Sequence, residues 1–248
     1  MAVLTGDINI AQLCNVITDN TDIQDFYGIV ANRLNELTGL KFDRNQLKKT
    51  SMIDGYGAGR KLLEKQLAED TGDLYFDGLL DVYFQALESI SPIFKLLKDT
   101  MASLWDNKKT RYQWTLPNGN VTDYNTISTN EIVIKPYGLM TISMLASYIS
   151  PTNKSTGLLV NIIHSVDAYI CSEVIRRCKF PIITIHDAFR CHPNHASEMQ
   201  RVFTEVLAEI TDSRLLEDIM EEISGIKVPT FNKEFTGADV LNSKYTIC

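Results

Sequence analysis

The chain has 248 residues, 44% of them hydrophobic and 22% charged, with a formal net charge of −7. A chain of this length and composition can bury a substantial core, which excludes an intrinsically disordered protein. The negative charge excludes a generally basic nucleic-acid binder, so any such role must come from local basic clusters.

The five cysteines contain no CxxC pair, which is typical of free thiols in a reducing compartment. No signal peptide is indicated at the N-terminus. The apolar stretches near Tyr137–Ile149 and Gly157–Ile163 are interrupted, and we expect both to be too short to span a bilayer. These observations predict a cytoplasmic protein.

The first predicted helix covers residues 22–37, with Asp22 as its N-cap and Gly39 as its stop. The next segment, DRNQLKKTSMIDGYGAG, places Arg44, Lys48, Met52 and Tyr56-Gly57 at strict four-residue spacing. In a helix, side chains four residues apart differ in direction around the axis by only about 40°. These side chains therefore lie in one stripe along the helix. Cations at one end and an aromatic ring at the other suit a nucleoside triphosphate, although an ordinary amphipathic helix gives the same pattern.

This second helix is predicted over residues 43–66, with Gly55, Gly57 and Gly59 loosening its centre. Helical periodicity continues over residues 76–103, where Pro92 is expected to begin a new helix. The pattern then changes from helical periodicity to the alternation typical of strands. It predicts a β-hairpin around Trp114, with its turn at residues 117–119.

A helix is predicted over residues 157–178, and PIITI reads as a buried strand that ends at His186-Asp187. The acidic stretch from Asp212 to Glu222 is expected to be a solvated helix face. The fold class is therefore α+β, with a helical region over residues 1–104 and a mixed region over residues 105–248.

Taken together, these segments resemble the C-terminal part of the single-subunit RNA polymerases of phages and mitochondria. The Arg44, Lys48, Met52 and Tyr56-Gly57 series matches the fingers helix of that family, and IHDAF matches the palm strand and turn that carry a catalytic aspartate. DFYGIVANRLNEL, WTLPNGNV, NIIHSVDA with His164, and FTGADVLNSKYTIC resemble further segments in the family's order. The resemblance implies a right-hand polymerase fold, with fingers over residues 1–104 and part of the palm over residues 105–248.

The chain also departs from the family pattern. Ala188 follows the His-Asp pair where serine is usual, and Arg190 stands where glycine is common. MAVLTGDINIAQLCNVI resembles only the tail of the motif that carries the first catalytic aspartate. The chain therefore looks like the smaller, C-terminal subunit of a two-subunit phage RNA polymerase, whose partner supplies that aspartate and the N-terminal and thumb regions. The alternatives are that the sequence is a truncated piece of a longer polymerase, or that Asp7 is the displaced first aspartate.

The resemblance also implies roles for individual residues in nucleotidyl transfer with two Mg²⁺ ions. Asp187 would bind metal, and His186 would shape the turn or contact the primer end. Arg44 and Lys48 would bind the triphosphate, with Lys48 also a candidate proton donor to pyrophosphate. Tyr56, Gly57 and His164 would contact sugar and base, whereas Met52 is either a base contact or a core residue.

The expected partners are a second polymerase subunit, a DNA template, the RNA product and nucleoside triphosphates, in the cytoplasm of an infected bacterium if a phage encodes the chain. A non-catalytic nucleic-acid-binding structural subunit and a fragment of a related DNA polymerase remain alternatives. A metal phosphohydrolase with a His-Asp pair is a further alternative, but it would need more His and Asp ligands on helices, and the chain has four histidines.

Overall fold

The structure is a computed structural model that describes residues 1–18, 23–134, 142–152, 155–185 and 188–244. The helices of its first part are α1 (Ala2–Thr5), α2 (Ile8–Leu13), α3 (Phe26–Thr38), α4 (Arg44–Gly55), α5 (Arg60–Thr71), α6 (Leu79–Ile90) and α7 (Ile93–Ser103), with a 3₁₀ turn at Gly72–Leu74.

The second part mixes strands and helices. Its elements are β1 (Arg111–Thr115), β2 (Val121–Asn125), β3 (Ile127–Ile134), β4 (Ile142–Ile149), α8 (Thr156–Arg177), β5 (Ile183–Ile185), β6 (Ala188–Arg190), a 3₁₀ turn at Pro193–His195, α9 (Ala196–Asp212), α10 (Leu215–Ser224) and α11 (Gly237–Asn242). Consecutive strands pair as three antiparallel two-stranded sheets, β1–β2, β3–β4 and β5–β6. The predicted helix-rich α+β class is confirmed.

The helix predicted over residues 22–37 begins later than expected. It starts at Phe26 with Asp25 in the N-cap position, and Asp22 lies outside the described residues. The predicted stop is confirmed, because Gly39 follows the helix with φ of 72°, a conformation that favours glycine.

The single helix predicted over residues 43–66 is wrong, because the chain forms two helices with a turn between them. α4 starts with a capping box between Asp43 and Gln46, and it ends at Gly55. Gly57 then adopts φ of 72° and donates its N–H to the carbonyl of Asp54 at 2.8 Å. Since this left-handed conformation cannot continue an α-helix, Tyr56 lies at the junction and not within a helix.

Later elements follow the predicted pattern closely. Pro92 precedes α7 as expected, and β1 and β2 form the predicted hairpin with Gly119 at φ of 83° in its turn. Tyr112 and Trp114 alternate with exposed residues along β1 and are buried. The hairpin therefore packs one face into the core.

The buried side chains form two hydrophobic clusters. One joins α3, α4, α5 and α6, and includes Leu34, Leu47 and Tyr83. The other joins the N-terminal helices, α7, β1 and the C-terminal helices. The division at residue 104 stays a prediction; the buried residues of α1, α2 and α7 pack with the second cluster.

The prediction of a buried strand at PIITI is wrong for the residues that the structure describes. Ile183 is 65% exposed and Ile185 is 49% exposed. Within the described ranges, β5 pairs only with β6, in the register Ile183–Arg190 and Ile185–Ala188. Apolar residues that read as core in the sequence thus lie on the surface of a short two-stranded sheet.

The acidic stretch near the C-terminus is a solvated helix face only in part, since Asp212, Asp218 and Glu222 are exposed and the other two acidic residues are not. Glu217 is fully buried, and its Oε1 accepts the N–H of Phe231 at 2.9 Å. Glu221 accepts the N–H of Val228 at 3.0 Å, and Glu222 accepts the N–H of Thr115 at 2.8 Å. These carboxylates accept hydrogen bonds from backbone N–H groups of loops and of a strand, which the helices and sheets leave unpaired.

The expectation about membrane-spanning length also needs correction. The helix runs beyond the apolar stretch at residues 157–163, and Gly157–Arg177 is long and apolar enough to cross a membrane by length and composition alone. This is weak evidence for a span, because 44% of its most apolar window is buried inside the protein, as in an ordinary core helix.

A partly buried ion pair joins α4 to α7 across the two clusters, with the Lys98 side chain 35% exposed. Lys98 Nζ lies 2.6 Å from Asp54 Oδ1, and the Asp54 residue is only 5% exposed. Tyr83 lies nearby and donates its hydroxyl to Ser51 at 3.2 Å; burial, followed by the Asp54 charge, raises the pKa of Tyr83. A charge buried in this way is costly unless its partner stays in place.

Lys98→Met is expected to lower the free energy of unfolding by about 3 kcal/mol, because it leaves the Asp54 carboxylate buried and uncompensated. Lys95→Met is the matched control, since Lys95 pairs with Glu88 at the surface and such pairs contribute at most about 1 kcal/mol. Urea unfolding followed by circular dichroism measures both. Equal losses in the two variants would contradict a special role for the partly buried pair.

Candidate functional site

One face of α4 is exposed and the opposite face is buried, as the four-residue spacing predicts. The exposed side chains include Arg44, Lys48, Met52 and, at the helix C-cap, Tyr56. Met52 is 40% exposed, so it is not a core residue. The predicted stripe therefore exists as a continuous accessible surface.

Arg44 lies at the start of this stripe and already has a partner. Its Nε is 2.8 Å from Asp25 Oδ2, and its guanidinium lies 5.5 Å from the ring centroid of Tyr27. Burial raises the pKa of the Tyr27 phenol, while the Arg44 charge opposes that shift. Sequence reasoning missed Asp25 and Tyr27 as neighbours of Arg44, although both lie in the DFYGIVANRLNEL segment.

Lys48 is one turn further along and is exposed. Among the residues that the structure describes, it forms no ion pair within 4 Å, in contrast to Arg44. An exposed ammonium group that has no nearby carboxylate can bind an anion without breaking an existing ion pair. Lys48 is thus the more available of the two predicted phosphate ligands.

Tyr56 and His164 come together although they lie far apart in the chain. Their rings stack at 5.3 Å between centroids with an interplanar angle of 12°. Both side chains are exposed, so the stacked pair is accessible at the end of the α4 stripe. The structure thus combines two residues that the sequence singled out separately.

The helix that carries His164 is fixed by a contact that sequence reasoning missed. The indole Nε1 of Trp114, which is fully buried in β1, donates to Ser165 Oγ at 2.9 Å. Ser165 in turn donates to the carbonyl of Ile162 at 2.7 Å. The hairpin therefore holds α8 immediately beside His164, which gives Trp114 a structural role.

Of the remaining predicted site residues, the structure describes Asp7 but not His186 or Asp187. His186 and Asp187 lie outside the described residues, between β5 and β6. Asp7, the alternative first aspartate, is the N-cap of α2 and accepts the N–H of Ile10 at 2.9 Å. This capping bond accounts for the Asp7 carboxylate without a metal.

The described residues contain no group of three or more His, Cys, Asp or Glu side chains that could hold a metal ion. Asp187, the predicted metal ligand, lies outside those residues. What the described surface offers is a stripe of two basic side chains, a methionine and an aromatic ring.

Comparison with known proteins agrees with this arrangement. Residues 1–238 match the family model of DNA-dependent RNA polymerase. The chain is 24% identical over 228 residues to "DNA-directed RNA polymerase 3, chloroplastic" of Nicotiana sylvestris, covering 82% of this chain and 23% of that protein. It is 22% identical over 199 residues to "DNA-directed RNA polymerase 1, mitochondrial" of the same plant, covering 72% of this chain and 20% of that protein.

The chain thus spans about a quarter of the length of the curated relatives that it matches. The family match, in contrast, covers nearly all of the chain, and it includes both the α4 stripe and the helix of His164. The chain belongs to the DNA-dependent RNA polymerase family of the phage and mitochondrial type.

Proposed function

We propose that this chain provides the nucleotide-binding surface and one metal-binding aspartate of a DNA-directed RNA polymerase. The enzyme would transfer nucleotides from nucleoside triphosphates to the RNA 3′ end on a DNA template. The observation that carries this proposal is the exposed α4 stripe, which ends in the stacked pair of Tyr56 and His164. A phosphate-binding end and a sugar-binding end are thereby separated along one helix.

In this proposal Lys48 and Arg44 bind the triphosphate. Arg44 can donate two parallel hydrogen bonds to phosphate oxygens, while Lys48 acts as a compact charge close to the reacting phosphate. The Arg44–Asp25 pair is about half exposed, at 46% and 45% of the two side chains. Since exposed pairs contribute little, a phosphate can displace Asp25 at small cost. Lys48 is also the proposed proton donor to the departing pyrophosphate.

Tyr56 and His164 are proposed to select ribose. A site that hydrogen-bonds a hydroxyl group rejects the analogue that lacks it, because its own polar groups are then left unpaired. The stacked geometry limits the freedom of both rings and keeps the phenol of Tyr56 beside the imidazole. Gly57, which follows directly, offers no side chain to obstruct a template base, and Met52 offers an apolar contact.

Two Mg²⁺ ions are proposed as cofactors, bound by Asp187 and by a carboxylate of a partner chain. Bound Mg²⁺ would stabilise the charge on the attacking and leaving oxygens. The hard carboxylate oxygens of Asp187 fit Mg²⁺, and the described residues offer no competing cluster. His186 is proposed to shape the turn or contact the primer end.

The exposed β5 strand supports the partner proposal. Ile183 and Ile185 are apolar and exposed, and a short sheet of two strands is marginal by itself in water. A further strand added beside β5 would cover these side chains and pair its backbone. We propose that this strand belongs to the second subunit and carries the first catalytic aspartate. The proposed location is the cytoplasm, that of an infected bacterium if a phage encodes the chain.

Asp187→Asn is expected to abolish RNA synthesis by the chain co-expressed with the product of the neighbouring gene. The loss should exceed about a hundredfold, because a direct metal ligand matters more than outer-shell groups whose loss costs 10- to 100-fold. The measurement is extension of an RNA primer on single-stranded DNA with Mg²⁺, and Asp77→Asn, at an exposed loop aspartate, is the control. If Asp187→Asn leaves synthesis intact, the chain is a non-catalytic subunit. Activity of the isolated chain would instead remove the need for a partner.

Lys48→Ala is expected to lower kcat/KM for nucleoside triphosphates by about 10- to 100-fold, the range for a lost charge-assisted hydrogen bond. Lys49→Ala is the matched control, since Lys49 is the adjacent exposed lysine, displaced by about 100° around the helix. Steady-state primer extension measures both. Equal effects would mean that general positive charge matters and that the stripe does not.

Tyr56→Phe is expected to reduce the preference for ribonucleotides over deoxyribonucleotides by about tenfold, because the hydroxyl is lost while the ring stack on His164 remains. The measurement is the ratio of kcat/KM for the two nucleotide types. Tyr75→Phe, at a tyrosine outside the stripe, should leave the ratio unchanged. If the wild-type enzyme prefers deoxyribonucleotides, a DNA polymerase replaces the proposed function.

A further inference from the structure

A cavity of about 550 Å³ lies behind the Tyr56 turn, where the two hydrophobic clusters meet. The turn between α4 and α5 forms one wall, and α5, α6, α7 and the start of α8 form the others. Its apolar lining consists of Leu63, Phe84, Leu87, Phe94, Met101 and Leu159. The four side chains of the α4 stripe do not line it, so the cavity adjoins the proposed nucleotide site and shares only Gly57 with it. Its volume lies within the range of small-molecule sites, roughly 300–1,000 Å³.

Ser91 is the polar feature of this cavity that needs an explanation. It lies between α6 and α7, is 1% exposed and lines the cavity. Its backbone N–H donates to Leu87 at 2.8 Å, but its Oγ has no hydrogen-bond partner among the described residues. Leaving a buried hydroxyl unpaired is unfavourable, and a ligand that accepts its hydrogen bond would remove that cost.

The charges around the cavity determine which ligand it suits. Each basic side chain in its lining already has an acidic partner. The pairs are Lys98–Asp54 at 2.6 Å, Lys95–Glu88 at 2.8 Å and Arg60–Asp81 at 2.8 Å. The lining also contains Asp99, an additional carboxylate. An anionic ligand such as a nucleotide would therefore meet no unpaired cation, and an uncharged ligand is favoured.

We propose that this cavity binds an uncharged aromatic molecule that carries a hydrogen-bond acceptor, such as an aromatic ketone. The acceptor takes the hydrogen bond of Ser91 Oγ, and the aromatic part contacts Phe84 and Phe94. Aromatic rings in such contact prefer offset or edge arrangements, which gives the site selectivity for flat molecules.

The position of the cavity suggests what occupancy does. Gly57 and Ala58 line it and directly follow Tyr56 in the chain. A ligand in the cavity therefore holds the turn from which Tyr56 reaches His164. This regulatory consequence rests on the proposed function, whereas the binding site itself does not.

The test is a fluorescence titration of the full chain with Prodan, an uncharged naphthalene ketone that emits at shorter wavelength in apolar surroundings. Saturable binding is expected, and Ser91→Ala should weaken it by about 5- to 10-fold. Ser91→Ala should not lower stability in urea, because the hydroxyl it removes has no partner. Ser103→Ala, at an exposed serine of α7 outside the lining, should bind as the wild type does.

Ala102→Phe is a second variant, which places a ring at the lining of the cavity from the exposed side of α7 and should abolish binding. Failure of the wild-type chain to saturate would overturn the proposal. Equal affinity in wild type, Ser91→Ala and Ala102→Phe would overturn it too, since the probe would then occupy another apolar surface. These readouts need neither nucleotide nor partner, so they are independent of the outcome for polymerase activity.

Discussion

The two opposite faces of α4 are the constraint on which the rest of the structure depends. One face buries Leu47, Thr50 and Asp54 against the first hydrophobic cluster, while the other stays exposed with Arg44, Lys48 and Met52. A helix can serve both tasks only if it is rigid and stops at the right place. The capping box at Asp43 fixes its start, and the left-handed conformation of Gly57 fixes its end.

One polar contact then connects this helix to the second cluster, and another fixes α8 within that cluster. The Asp54–Lys98 pair ties α4 to α7, and the Trp114–Ser165 hydrogen bond ties the hairpin to α8. Such contacts are directional, unlike apolar packing, and so they fix relative positions and not merely proximity. The consequence is that Tyr56 and His164, carried by different clusters, can stack at a defined distance.

The exposed residues of β5, in the second half of the chain, differ in chemistry from the exposed basic residues of α4. Ile183 and Ile185 on β5 are apolar, and they lie beside the residues that carry the expected metal ligand. Exposed β-branched residues along a strand are unusual on a surface that stays in contact with water. Their exposure is understandable where another chain segment adds a strand to the sheet. The proposed nucleotide-facing part of the site thus lies on described residues of this chain, whereas the proposed metal-binding part relies on a neighbour.

The sequence by itself determined the local features: the shared stripe of α4, the stop at Gly39, the helix after Pro92 and the hairpin around Trp114. These follow from periodicity and from residues with special backbone preferences, which act over a few neighbours. Local pattern also misled, because Ile183 and Ile185 read as core and are exposed, whereas Glu217 reads as surface and is buried. Burial is decided by what packs on top of a segment, and local pattern does not contain that information.

Only the tertiary structure decided which distant residues meet. It paired Arg44 with Asp25, stacked Tyr56 on His164, and left Ser91 Oγ, beside a cavity, without a hydrogen-bond partner in the described part of the chain. Each outcome depends on the packing of separate elements, whose relative positions are set by many weak contacts and a few buried polar ones. The sequence therefore determined which residues the candidate site contains, and the packing of the two clusters determined how those residues are arranged.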